Sequence, residues 1–183
     1  METTLVKVIS DIIDAADEKK VILLGLLDMS AAFNSVDFQI LLYRLKVSYG
    51  LGGQVLQWFQ SYLSDRTQTL SFAGRRSSPS LLVCGVPQGS VLGPLLFVLY
   101  AADVMKIVVQ HEVRIRAYAD DMQTYVSCHA ADQQSAMSRL LQCVADIDKL
   151  MSSNLLKLNA DKTEFQSCHS WLRPRREHSF QVW

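Results

Sequence analysis

The sequence predicts an α+β fold in which helices pack on one side of a mostly antiparallel sheet. Three observations carry that expectation. Apolar residues recur at helical spacing in several separate segments, short strand-like runs stand between them, and the order is helix, strand, two helices, strands, helix, hairpin, helix, strand. At 183 residues, 49% of them apolar, the chain is long enough for one sizeable core.

Residues 4 to 16 carry Leu5, Val8, Ile9, Ile12 and Ile13 at the spacing of one helix face. "VILLGLL" at 21–27 is a continuous apolar run that stops at Asp28, which suits a central strand covered on both faces and somewhat weakened by Gly25. The stretch 36–49 repeats Phe38, Leu41, Leu42 and Leu45, with Asp37 in its first turn and Gly50 as a stop; a second helix follows Gly52 and Gly53. "TQTLSFA" at 67–73 alternates polar and apolar residues, and "LLVC" at 81–84 is a further candidate strand. The glycine-punctuated loop "GVPQGSVLGP" then opens an apolar helix near Pro94 that is interrupted at Asp103. A hairpin comes next, then a helix from about 131 to 153 with Asn154 as its left-handed cap, then a turn and a closing strand.

Charge and cysteine usage narrow the function classes. The formal net charge is zero, whereas a protein that grips nucleic acid unaided usually carries a basic excess, so other parts would have to help hold such a ligand. Cys84, Cys128, Cys143 and Cys168 lie far apart, which suggests reduced thiols rather than a zinc ribbon or a disulfide framework. The longest apolar stretch, 91–102, is shorter than the ~20 residues of a membrane span. The acidic, amphipathic start does not resemble a secretion signal, so an intracellular protein, nuclear or cytoplasmic and without a membrane partner, is expected.

"RAYADDMQTYV" at 116–126 sets two carboxylates side by side at a bend. Like charges roughly 5 Å apart repel by about 1 kcal/mol in water and by about 3 to 4 kcal/mol in a partly desolvated site. A plain two-residue turn would do better with Asn-Gly or Asp-Gly. Alternation puts Arg114, Arg116, Tyr118 and Asp120 on the polar face, and Asp121 would face the core if the strand ran straight on, so the bend has to fall here. Pairing the strand that ends in Asp28 with this hairpin would gather carboxylates that are distant in sequence. Such a group can hold two divalent cations about 3.5 to 4 Å apart for an in-line displacement at phosphorus, and Mg²⁺ suits oxygen donors shared with substrate phosphates. For a single Asp-Asp taken alone, a solvated acidic turn is the commoner reading.

"LLDMSAAFNSVD", "GVPQGSVLGPLLF", "YADD" and "LKLNADKTEF", in that order and at fitting spacings, resemble successive motifs of the reverse transcriptases of non-LTR (LINE-type) retrotransposons. The resemblance runs from about Thr3 to Phe165 and implies a polymerase palm over residues 1–168, followed by a basic, loosely ordered tail at 169–183. It implies template-directed DNA synthesis, with an RNA template and a DNA primer as partners, Mg²⁺ or Mn²⁺ as cofactor and deoxynucleoside triphosphates as substrates.

Carried over by position, Asp28 and Asp120 would be the principal metal ligands, with Asp121 beside them and the Met29 carbonyl assisting. Phe33 would be the gate that rejects a 2′-hydroxyl; read alone it is a core aromatic. Gln88 and Gly89 would lie along the incoming nucleotide and template, and Lys162 would sit near the triphosphate as a cation or proton donor. Arg114 and Arg116 would reach primer phosphates or form an ordinary solvated face. Asn34 stands where the family often has Asp, and "DKLMSSNLLKLN" lacks the tryptophan commonly found before its Met. The family's fingers and thumb are expected to be largely missing, so that the chain has little activity alone and exposes palm surfaces that self-association would cover. The alternative is a noncatalytic, co-opted or degenerate palm acting as a binding or interaction module. An RNA-recognition-motif domain fits less well, because its aromatic platform motif is absent.

Overall fold

A computed structural model describes residues 2–169, which form two compact units. One takes in the chain up to Ser30 and from Asp103 onward, and the other is Ala31–Ala102. In chain order the elements are α1 (Glu2–Asp17), β1 (Val21–Leu27), β2 (Met29–Ser30), a 3-10 turn at Ala32–Asn34, α2 (Phe38–Val47), α3 (Gly53–Leu63), β3 (Thr67–Gln68), β4 (Ser71–Phe72), β5 (Arg75–Arg76), β6 (Ser80–Leu81) and α4 (Leu92–Ala101). Then follow α5 (Val104–Gln110), β7 (Arg114–Tyr118), β8 (Asp121–Cys128), α6 (Gln133–Ser153), β9 (Lys157–Leu158) and β10 (Glu164–His169). His169 thus closes a strand, and the rest of the expected basic tail lies outside the described residues.

The first unit is built on a four-stranded antiparallel sheet in the order β10-β1-β8-β7. β1 and β8 are its interior strands, and six of the seven residues of β1 are buried, as an unbroken apolar run requires. Val8 and Ala15 of α1 pack with Ile22, Leu24 and Tyr125. α6 buries Ala136, Leu140, Cys143, Val144, Ile147 and Met151 along one stripe and contacts β1 and β8.

Three local expectations need correction. The buried face of α1 is Val8, Asp11 and Ala15, while Ile9 and Ile13 are exposed. A carboxylate takes the inward position because the Tyr125 hydroxyl donates to Asp11 Oδ2 and Lys7 Nζ lies 3.2 Å from Oδ1, so burial does not strand the charge. Asn154 is not left-handed (φ −103°). Its side-chain amide donates to the Leu150 carbonyl at 2.6 Å, and Leu155 takes the left-handed position at φ 58°. Leu155 N–H to Ser152 O (3.1 Å) and Leu156 N–H to Met151 O (2.9 Å) then close a Schellman motif. α5 stands between the interruption at Asp103 and the hairpin, where the sequence pattern predicts no element.

In the second unit α2 begins on Asp37, whose carboxylate accepts from Ile40 N–H at 2.9 Å. The two expected strands at 67–73 and 81–84 shrink to two-residue ladders, β3 with β6 and β4 with β5, because every residue from Thr67 to Leu81 is exposed and no layer covers the alternating pattern. α4 buries Gly93, Leu96, Phe97, Tyr100 and Ala101.

Candidate active site

Asp28 stands where two ladders meet. The β1–β8 register ends at Leu27↔Met122, so Asp28 and Asp121 each stand one residue beyond its last pair. β2 pairs with β9 through Met29↔Leu158, which sets Asp28 opposite Asn159 on its other side. Sequence reasoning missed Asn159, although it lies inside the quoted "LKLNADKTEF". Its backbone N–H donates to the Asp28 carbonyl at 2.9 Å and its side-chain amide to Asp28 Oδ2 at 3.3 Å. A 3-10 turn at Ala160–Lys162 then returns Lys162 Nζ to 3.5 Å from the same Oδ2. The lysine side chain is 68% exposed, so this pair positions a charge more than it stabilises the fold.

The hairpin turns on Ala119 and Asp120, between the paired Tyr118 and Asp121. Ala119 has φ 56°, the left-handed value that the first central residue of a II′-type hairpin turn needs and that glycine meets with less strain. The strain falls on the residue between Tyr118 and the two carboxylates. Asp120 is half-buried in the turn and Asp121 is exposed at the start of β8, so the bend delivers Asp121 outward and not into the core. Arg114 and Arg116 are not simply solvated, since each brings a guanidinium nitrogen to 3.8 Å from Asp11 Oδ2.

The donors here suit a hard dication. Asp28 follows the last residue of β1, Asp121 opens β8, Asp120 lies in the turn before it, and Met29 is buried in β2 immediately after Asp28. Mg²⁺ commonly uses one or two carboxylates and leaves its other positions to water and phosphate. Among the described residues no group of three or more His, Cys, Asp or Glu side chains stands ready to hold a metal, so Asp28, Asp120 and Asp121 are not gathered as a preformed three-carboxylate site.

The remaining candidates belong to the second unit. Phe33, in the 3-10 turn at 32–34, is half-buried with its ring 5.2 Å from that of Phe97. Gln88 and Gly89 are both exposed, and Gly89 has φ 75°. The loop holding them is stitched to the Phe33 segment by Val86 N–H to Phe33 O and Gly85 N–H to Val36 O, both 2.8 Å. At Gly85, φ is 88° and a Cβ would come within 3.0 Å of Asn34 Cα and O, so only glycine allows that approach. The Gln88 amide donates to Asn34 Oδ1 at 3.2 Å. Where the family often has Asp, Asn34 thus keeps the acceptor and drops the charge.

Comparison with known proteins follows these motifs. The family described as Reverse transcriptase (RNA-dependent DNA polymerase) matches residues 3–181. The RNA-directed DNA polymerase from mobile element jockey of Drosophila melanogaster is 31% identical over 161 residues, which is 85% of this chain and 17% of the relative. The probable RNA-directed DNA polymerase from transposon BS of the same species is 29% identical over 83% of this chain and 17% of its own length. The chain therefore spans about a sixth of the length of these relatives. Among solved structures, apo telomerase from Candida tropicalis aligns with a TM-score of 0.64 at 14% identity, covering 88% of this chain and 35% of that one. Telomerase from Candida albicans aligns at 0.63 and 16% identity, over 87% and 31%. These two show a shared fold. Because the family match runs through all four motifs, the chain belongs to the reverse transcriptase (RNA-dependent DNA polymerase) family, within its non-LTR retrotransposon branch.

Proposed function

We propose that this chain is a catalytic palm that adds deoxynucleotides to a primer 3′ end on an RNA template, with Asp28, Asp120 and Asp121 as its essential carboxylates. The observation that carries the reading is Asp28 at the end of β1, held by Asn159 through its carbonyl and its Oδ2 and with Lys162 on the same Oδ2, one residue past the ladder that also ends beside Asp121. Mg²⁺ or Mn²⁺ held by Asp28, Asp120, Asp121 and the Met29 carbonyl would supply activation of the primer hydroxyl and stabilisation of the leaving oxygen. Asn159 holds Asp28 at two points, its backbone N–H on the Asp28 carbonyl and its side-chain amide on the carboxylate Oδ2, which steadies that oxygen. Lys162, largely exposed, pairs with Asp28 and is placed to meet negative charge on the triphosphate. Phe33 is backed by Phe97, which stiffens the ring for its role as sugar gate, and Gln88 and Gly89 offer an exposed amide and an open backbone to the nucleotide and template.

With a net charge of zero, the 183 residues alone neutralise few phosphates and should extend a primer weakly. Self-association would cover apolar side chains exposed on α2 and α3, such as Tyr43 and Trp58. The test is primer extension on an RNA template with Mg²⁺ or Mn²⁺, by this chain and by a longer chain carrying flanking sequence of the kind its relatives possess. Extension should be weak in the first and clear in the second, and Asp120→Ala should lower the second by a hundredfold or more, on the order of 3 kcal/mol of barrier. Undiminished extension by Asp120→Ala would sink the assignment.

A further inference from the structure

The ribbon between α3 and α4 is the most solvated part of the second unit. From Thr67 to Leu81 every residue is exposed, and Phe72 reaches 86%. An isolated two-stranded ribbon gains little from folding, so a phenyl ring on it adds nothing to a core.

The ribbon nevertheless holds that ring in a defined place. Ala73 (φ 48°) and Gly74 (φ 76°) are both left-handed, the pattern of a I′ turn, and Phe72 pairs directly with Arg75. Leu70 N–H to Ser77 Oγ (3.0 Å) and Ser77 N–H to Leu70 O (2.9 Å) continue the pairing. Leu70, Phe72, Arg75 and Ser77 therefore share one face, with Ser71 and Arg76 on the other. The electrostatics are one-sided. Residues 66–102 contain Arg66, Arg75 and Arg76 and neither an Asp nor a Glu, in a chain whose total charge is zero.

We propose that this ribbon is a contact arm for single-stranded nucleic acid, in which Phe72 stacks on a base while Arg75, on the same face, pairs with a phosphate; it rests on the reading of the chain as a polymerase palm, and the strand would be its template. A ring set opposite a guanidinium, in a stretch free of acids, matches a ligand that alternates flat bases with negative charge. Stacking requires an unpaired base, which favours a single strand over a duplex.

Fluorescence anisotropy with a labelled RNA oligonucleotide, single-stranded or annealed to its complement, tests the arm in EDTA buffer, where binding is separated from catalysis. Phe72→Ala should weaken single-strand binding about tenfold and leave its salt dependence unchanged, while Phe72→Trp should retain affinity. Arg75→Gln should reduce the slope of log K against log salt by about 0.7, the share of one lost phosphate contact, and by more than Arg76→Gln does on the opposite face. The arm is refuted by unchanged affinity in Phe72→Ala, by equal loss on the duplex, by a change in self-association in place of RNA affinity, or by no RNA binding of the unmodified chain at low salt. Parallel primer extension keeps the two readings apart: lost extension with the binding pattern intact removes the polymerase assignment alone, and the converse removes the arm alone.

Discussion

Gly25 occupies a point where no side chain fits. A Cβ there would stand 2.8 Å from Thr124 Oγ1 and 3.2 Å from Phe165 Cε1, and Thr124 is fully buried with its hydroxyl donating to the Gly25 carbonyl at 3.3 Å. The strands on either side close over the missing side chain. Gly25→Ala should destabilise the protein by about 1 to 3 kcal/mol, the usual cost of overpacking, seen as a lower urea midpoint at unchanged m-value. A midpoint within error of the parent would show that the sheet can yield here. From sequence this glycine reads only as a weak point in a strand, because the Thr124 and Phe165 side chains that demand it are 99 and 140 residues away. Asp28 and the Asp120-Asp121 pair were legible, since each ends or bends an otherwise apolar or strand-like run. Asn159 was not, because an isolated Asn carries no local conflict to mark it. Its role as a partner of Asp28 exists only once β2 and β9 pair.

Elements show a similar division. Long periodic segments such as α6 were readable because six buried residues recur on one stripe. The face of α1 was not, since the inward Asp11 is stabilised by Tyr125, Arg114 and Arg116, each more than a hundred residues further along the chain. The ribbon at 67–81 carries the right alternation, yet a period of two makes a full strand only when a layer covers one face. The end of α6 turns on a different detail. Leu155 is the left-handed residue of the Schellman motif at φ 58°, and 62% of it is exposed. A non-glycine residue there carries about 1 to 2 kcal/mol of strain, while glycine carries roughly 0.5 to 1 kcal/mol more backbone entropy in the unfolded chain. Leu155→Gly should therefore raise stability by about 0.5 to 1 kcal/mol, and Leu155→Ala should not. Equal thermal midpoints for the two variants would place the determinant elsewhere in the motif.

Across the whole molecule a zero net charge conceals uneven placement. The chain from Arg66 to Ala102 is purely basic, while acidic residues are concentrated elsewhere, including the buried Asp11. All four cysteines are free, and burial raises the thiol pKa of Cys128, Cys143 and Cys168, that of Cys143 to about 11, so they stay protonated near neutrality. The Asp11–Tyr125 pair that ties α1 to the sheet adds its own part to the response of the fold to pH, beside these thiols and Tyr100, whose hydroxyl burial also pushes up. The Tyr125 hydroxyl, with help from Lys7, holds the Asp11 carboxyl below its ordinary range, against the opposing pull of burial. Burial first, and the Asp11 bond second, push Tyr125 up to about 12. A carboxyl depressed on folding contributes stability that is present above its unfolded pKa of 3.8 and lost as pH falls through the folded value. A phenol raised on folding contributes stability that is complete below its unfolded pKa of 10.0 and lost as pH rises toward 12. Stability should thus be level between about pH 5 and 9 as far as this pair is concerned, falling on both sides. Tyr125→Phe should lower the plateau by about 1 to 3 kcal/mol, because Asp11 loses its buried donor. The same change removes Tyr125's share of the alkaline limb, leaving that of the buried thiols and Tyr100, and shrinks the acid one, since the bond that depresses Asp11 is gone. Urea midpoints measured from pH 3 to 11 on parent and variant test this, and an alkaline limb of undiminished depth in Tyr125→Phe would assign it wholly to the other groups.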